Sequence, residues 1–165
     1  LFLAILVFWL TALFASIGLF APPNATVIAT LSLSSLSVSA AILLIDDSLS
    51  IRKFVGRMLE NAGYQVDTAV DGEDGLRKAS AHSYRLIFTD LEMPKLNGLE
   101  VIQALRSRPQ TQQTPIVVMT TRAGDKHRQM AINIGASAYI AKPVEERALL
   151  QEVERWVGQA TTVRK

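Results

Sequence analysis

Four short apolar runs in this sequence lead directly into groups able to do chemistry. "AILLI" (41–45) runs into Asp46-Asp47, "RLIFT" (85–89) into Asp90, "PIVVMT" (115–120) closes on Thr120 with Thr121 beyond it, and "AYIA" (138–141) runs into Lys142-Pro143. Singly, each has an ordinary role: Asp47 or Ser48 would cap a helix, Asp90 would begin a turn, Thr120 would be a β-branched strand residue, and Lys142 would be solvated. Jointly they describe a site. Three carboxylates brought close together repel one another, and one would stay protonated unless a cation joined them. Oxygen-only ligands without His or Cys select a hard ion, and an incomplete carboxylate set that leaves room for waters and a substrate oxygen suits Mg²⁺. Mg²⁺, the Lys142 ammonium and the Thr120 hydroxyl would then stabilise a phosphoryl group arriving at a carboxylate oxygen, by charge neutralisation and positioning. Asp90, facing the metal and that phosphoryl group, is the expected nucleophile.

A regular scaffold must bring these groups to one place. The four runs, together with "YQVDTA" (64–69), alternate with stretches of helical spacing, which is a βα repeat. Ile51, Phe54, Val55, Met58 and Leu59 form an apolar stripe on the first predicted helix, and Gly63 stands where a helix end calls for positive φ. Leu149, Leu150, Val153, Trp156 and Val157 repeat that spacing on the last helix and read as core. Three of the strands are apolar throughout, as parallel strands covered on both faces must be. The predicted fold class is α/β, a doubly wound sandwich with five strands. In such sheets ligands collect at the carboxyl edge, beside the switch in strand order, and that is where all four chemical groups fall.

Composition bounds the rest. A chain of 165 residues with 49% hydrophobic content suggests one domain plus an extension. The absence of cysteine excludes disulfides, thiolate metal sites and a cysteine nucleophile. A net charge of +2 arises from 17 basic and 15 acidic residues with no basic run that would track a phosphate backbone, so nucleic acid is not an expected direct ligand. Residues 1–40 contain no Asp, Glu, Lys, Arg or His. "LFLAILVFWLTALFASIGLFA" (1–21) is long and apolar enough to cross a bilayer, which takes roughly 20 helical residues. After Pro22-Pro23-Asn24, residues 25–40 are either a second helix of a hairpin or a Ser-rich linker. The expected organisation is thus a hydrophobic membrane segment of one or two helices with its linker over 1–40, a soluble domain over 41–158 and a tail over 159–165. The chain begins without Met and is expected to be a fragment, a processed product or the outcome of gene assembly.

The motifs carry a family resemblance. Residues 41 to about 158 resemble the receiver domain of two-component response regulators: "LLIDDS" matches its acidic pair, "FTDLEMPKLNG" its phosphoacceptor strand and loop, "VVMTT" its switch hydroxyl and "YIAKP" its lysine and proline. The resemblance implies a flavodoxin-like sheet in the order 2-1-3-4-5. It also implies that Asp90 accepts phosphate from a histidine kinase or a histidine phosphotransfer domain, and that Asp46, Asp47, Asp90 and the backbone carbonyl of Glu92 hold Mg²⁺. Thr120 would bond the phosphoryl oxygen, Lys142 would pair with it, and Lys142-Pro143 would be cis. Output would be a population shift in which Thr120 and Tyr139 move and alter the face of the fourth helix, fifth strand and fifth helix. The resemblance further puts Glu92 and Arg122, two places beyond Asp90 and Thr120, at positions the family uses to tune the lifetime of the phosphorylated state. The wording of "DDSLSIRK", "TDLEMPKLNGLE" and "DKHRQ" is most similar to receivers of chemotaxis-type hybrid histidine kinases, and residues 1–45 loosely resemble the terminal helices of a bestrophin-like membrane family.

The resemblance makes the chain a phosphorelay signalling component rather than an enzyme acting on a separate substrate. Seven residues follow Gly158, too few for a DNA-binding output domain, so output is expected through protein contact. Arg52 and Lys53, beyond the apolar segment, place the receiver in the cytoplasm, anchored at the inner membrane. Three alternatives remain open on the residues: a Mg²⁺-dependent phosphohydrolase with an aspartyl-phosphate intermediate, similar to haloacid dehalogenases, a receiver used only as a phosphorylation-independent binding module, and a membrane protein whose receiver-like tail is incidental. The first wants a D-x-D nucleophile after the first strand, where this sequence reads Asp46-Asp47-Ser48.

Overall fold

The βα alternation read from the sequence is realised element by element. The structure, a computed structural model, describes residues 41–122 and 124–162, with side chains through Gly158. Strands β1 (Ala41–Ile45), β2 (Gln65–Ala69), β3 (Leu86–Asp90), β4 (Ile116–Thr120) and β5 (Ala138–Ala141) alternate with helices α1 (Leu49–Asn61), α2 (Gly72–Ala81), α3 (Gly98–Arg106), α4 (Asp125–Asn133) and α5 (Glu146–Thr162). The sheet has the order β2-β1-β3-β4-β5 with every pair parallel, as expected. The apolar segment expected to span a membrane at 1–21, and the stretch from there to residue 40, lie outside the described residues. Among the described residues no helix is long and apolar enough to cross a membrane. Helix α5 continues to Thr162, past the domain end expected at 158.

Successive strand residues face opposite sides of the sheet, so strands covered twice need apolar residues of both parities. Ile42, Leu44, Leu86, Phe88, Val117 and Met119 pack on one side against Val55 and Leu59 of α1 and Leu149, Val153 and Val157 of α5. Leu43, Ile45, Ile87, Ile116 and Val118 pack on the other against Val101, Ile102 and Leu105 of α3 and Ala131 of α4. All five residues of β3 and of β4 are buried, each large side chain contributing about 1.5–3 kcal/mol of transfer free energy. β2, with a neighbour on one side only, buries Ala69 alone. Phe54 departs from the predicted α1 stripe and is 52% exposed. At roughly 100° per residue it lies about a quarter turn from Val55, off the edge of the buried arc.

Polar end groups fix where each helix begins. Ser48 caps α1, accepting from the Ile51 N–H at 3.4 Å, and Asp71 caps α2, accepting from Asp74 at 2.9 Å. Asn97 and Glu100 form a reciprocal capping box on α3. Gly63 has φ 89°, the left-handed conformation expected after α1. Arg106, at the end of α3, donates to the carbonyls of Gly135 (2.9 Å), Thr114 (2.7 Å) and Gln112 (3.1 Å), tying the loops that flank β4 and α4.

Candidate phosphoacceptor site

Because all five strands point the same way, β1, β3, β4 and β5 deliver their terminal groups to one edge. Asp46 and Asp47 follow β1, Asp90 ends β3, Thr120 ends β4 and Lys142 follows β5. Carboxylate oxygens of Asp46, Asp47 and Asp90 lie within 4.8 Å of one another. Lys142 Nζ donates to Asp46 Oδ2 and Asp90 Oδ2, each at 2.7 Å, so one ammonium bridges two of the three acids. Asp46 is fully buried, and its second oxygen accepts from the Ser48 N–H at 2.9 Å. Asp90 is nearly so, its second oxygen accepting from the Glu92 N–H at 3.3 Å. Asp47 is exposed, and among the described residues nothing donates to its carboxylate. No buried side-chain polar atom among the described residues is left without a partner.

Burial pushes the Asp90 carboxyl above the ordinary carboxylate range, against the pull of the Lys142 ammonium. Burial alone would lower Lys142, but its bonds to Asp46 and Asp90 outweigh that and raise it. One cation thus offsets only part of the charge that three carboxylates concentrate here. The donor set fits a hard divalent ion: it is oxygen-only, crowded, short of protein charge compensation and open on the Asp47 side.

Loop geometry holds these groups in place. Gly98 opens α3 directly under Asp90, where a Cβ would collide with the Asp90 carbonyl oxygen, and its N–H donates to the Leu91 carbonyl at 3.1 Å. The Lys142-Pro143 bond is cis, as the resemblance implied. Thr120 is buried, and its hydroxyl accepts from the Arg122 N–H at 3.2 Å. Tyr139, half-buried and in register with Val118, donates its hydroxyl to the Arg122 carbonyl. The Glu92 side chain points along the loop rather than at the acids. It accepts from Thr121 Oγ1 and Arg122 Nε, both at 2.7 Å, and Arg122 Nη1 lies 3.3 Å from His127 Nε2.

Sequence reasoning missed one residue of this neighbourhood. Arg52 was read only for its sign relative to a membrane, yet its Nη1 donates to the carbonyls of Asp46 (2.6 Å) and Asp47 (2.9 Å). The available signal was its position on the first turn of α1, beside the acidic pair. Gly98 was likewise legible only as part of a turn.

A parallel β2-β1-β3-β4-β5 sheet carrying a buried aspartate, two neighbouring acids and a bridging lysine at its carboxyl edge defines a CheY-like signalling domain of flavodoxin-like fold. Residues 42–154 match the response regulator receiver domain, and the chain belongs to that family. Response regulator ArlR of Staphylococcus aureus is 38% identical over 112 residues, which cover 68% of this chain and 50% of that protein. The chain therefore spans about half the length of the curated relatives it matches. The structure of chemotaxis response regulator CheY4 of Vibrio cholerae is similar with a TM-score of 0.69 at 36% identity, covering 72% of this chain and 98% of that one. The receiver domain of sensor histidine kinase PA1611 from Pseudomonas aeruginosa PAO1, solved with a magnesium ion coordinated in its active site cleft, gives 0.69 at 28% identity over 73% and 99% of the two chains. The family match favours the receiver reading over the phosphohydrolase alternative.

Proposed function

We propose that Asp90 is the phosphoacceptor of a two-component phosphorelay, taking its phosphoryl group from a phosphohistidine on a histidine kinase or histidine phosphotransfer domain. The observation that carries this reading is the Lys142 ammonium bridging Asp46 and Asp90 at 2.7 Å inside a cluster of three carboxylates. An Asp90 oxygen attacks phosphorus, and the P–N bond breaks as the imidazole keeps the electron pair and takes up a proton. Asp46, Asp47, Asp90 and the Glu92 carbonyl would hold Mg²⁺, which when bound neutralises charge on the phosphoryl oxygens. Lys142 leaves Asp90 to pair with the new phosphoryl oxygens, and Thr120, whose oxygen accepts from the Arg122 N–H, turns its O–H to donate to one of them. Both movements occur beside Tyr139, whose hydroxyl already sits on the Arg122 carbonyl, and this supports coupling to the face formed by α4, β5 and α5. Met130 and Ile132 of α4 are exposed, 43% and 38%, and offer apolar contacts to a downstream protein.

The functional unit in this reading is the receiver over 41–158, supported by the family match over residues 42–154. It works in the cytoplasm, where its phosphodonor is, and its dispersed basic residues suit protein partners rather than nucleic acid. Similarity to CheY4 supports a chemotaxis or motility setting. The test is to incubate the purified chain with a small-molecule phosphodonor, with and without Mg²⁺, and to weigh the intact protein beside its Asp90→Asn variant. One phosphoryl adduct requiring both Mg²⁺ and Asp90 is expected. An adduct on the variant would move the acceptor elsewhere, and none on the folded wild type under any metal condition would favour phosphorylation-independent binding.

A further inference from the structure

The three acids of the cluster are not held equally. Lys142 and the Ser48 N–H fix the carboxylate of Asp46, and Lys142 and the Glu92 N–H fix that of Asp90. No comparable donor reaches the carboxylate of Asp47 among the described residues, so its placement depends on the main chain that carries it. That main chain has left the sheet. β1 ends at Ile45, and the last ladder-like bond is from the Asp46 N–H to the Ala69 carbonyl at 3.2 Å, leaving the carbonyls of Asp46 and Asp47 without strand partners. Both are taken by one nitrogen of Arg52, at 2.6 and 2.9 Å, one turn into α1. The Arg52 N–H also bonds the Ser48 carbonyl at 3.0 Å, which anchors the base of the same side chain to the turn it clamps.

We infer that Arg52 is a positioning residue for the metal site: by clamping the two carbonyls of the β1–α1 turn it presets the Asp47 carboxylate toward Asp46 and Asp90. This rests on the reading of the cluster as a divalent-cation site and adds to it the device that shapes its otherwise unsupported member. Charge-assisted bonds of this length to neutral carbonyls are strong enough to select one turn geometry, and outer-shell partners of this kind typically govern 10–100-fold in metal affinity. The charge of Arg52 acts in the opposite direction. A guanidinium near a cation site repels the cation, so without a positioning role its removal would tighten binding.

The two roles therefore predict opposite signs, and a metal titration separates them. Mn²⁺, which has a strong electron paramagnetic resonance signal when free and a broadened one when bound, is titrated into the wild-type chain, Arg52→Met and Arg52→Lys, with folding of each metal-free protein followed by circular dichroism. Arg52→Met should bind Mn²⁺ roughly tenfold more weakly. Arg52→Lys, which keeps a donor able to reach the turn, should recover a large part of that loss. Unchanged or tighter binding by folded Arg52→Met overturns the inference while leaving the metal site intact. Equal loss in both variants, without rescue by lysine, also overturns it, because a fold-wide effect would not distinguish them. Failure of the wild type to bind Mn²⁺ sinks the cation reading itself.

Discussion

Asp90 is held in a state that its own surroundings oppose. Its carboxyl is raised by burial, so the folded protein binds a proton there more readily than the unfolded chain does. For such a group the cost falls on the ionised form: it is present above the folded pKa and disappears as pH drops below the unfolded value of about 3.9. Asp90→Asn should therefore raise the melting temperature at pH 7 without divalent metal by a few degrees, the shift that ~1 kcal/mol produces in a domain of this size. The gain should vanish toward pH 3, and thermal denaturation in EDTA across that range is the check. A lower melting temperature at neutral pH would mean that the bond to Lys142 outweighs the crowding of the acids. Asp46, Asp47, Asp90, Thr120 and Lys142 were all legible before any coordinates, because each stands where an apolar run stops. Arg52 was not, since nothing in one sequence distinguishes an arginine that turns back onto its own loop from one that faces water.

Among the elements, α4 is the least anchored. It buries only Ala131, and its N-cap, Gly124, supplies no side-chain bond, whereas Ser48, Asp71 and Asn97 cap the first three helices. Gly124 has φ −86° and ψ 138°, the extended geometry of a normal cap, and a Cβ there would come no nearer than 3.6 Å to His127 Nδ1. Gly124→Ser should therefore stabilise the protein by about 0.5–1 kcal/mol, from the cap bond and from lower entropy of the unfolded chain, measured by urea denaturation. Unchanged stability would show that this helix start frays regardless of its cap. The strands were legible to within a residue of their ends because apolar runs bounded by polar turns leave little freedom. The α1 face was less so: apolarity alone placed Phe54 in the stripe, whereas the buried arc is set by which residues meet the sheet, Val55 and Leu59 being fully buried while Phe54 is 52% exposed.

At the level of the whole molecule, a ligand that joins the ends of β1 and β3 binds the folded chain and not the unfolded one. Free Mg²⁺ at a hundredfold over its dissociation constant should stabilise the protein by roughly 2.7 kcal/mol, read as a rise in melting temperature at matched ionic strength, and Asp90→Asn should lose most of that rise. An equal rise in the variant would place the cation elsewhere. The order of the strands was available from the βα repeat together with the family's motifs, but what precedes residue 41 was legible only as composition.

The bond between Lys142 and Asp46 joins residues 96 positions apart, and the sheet edge it completes draws on β1, β3, β4 and β5. On the ribosome, β5 is the last of these to emerge. A nascent chain that has already made its acidic pair and its acceptor still lacks the ammonium that closes the site. A chain interrupted before β5 therefore lacks the cation that bridges Asp46 and Asp90, and its acids stand together uncompensated.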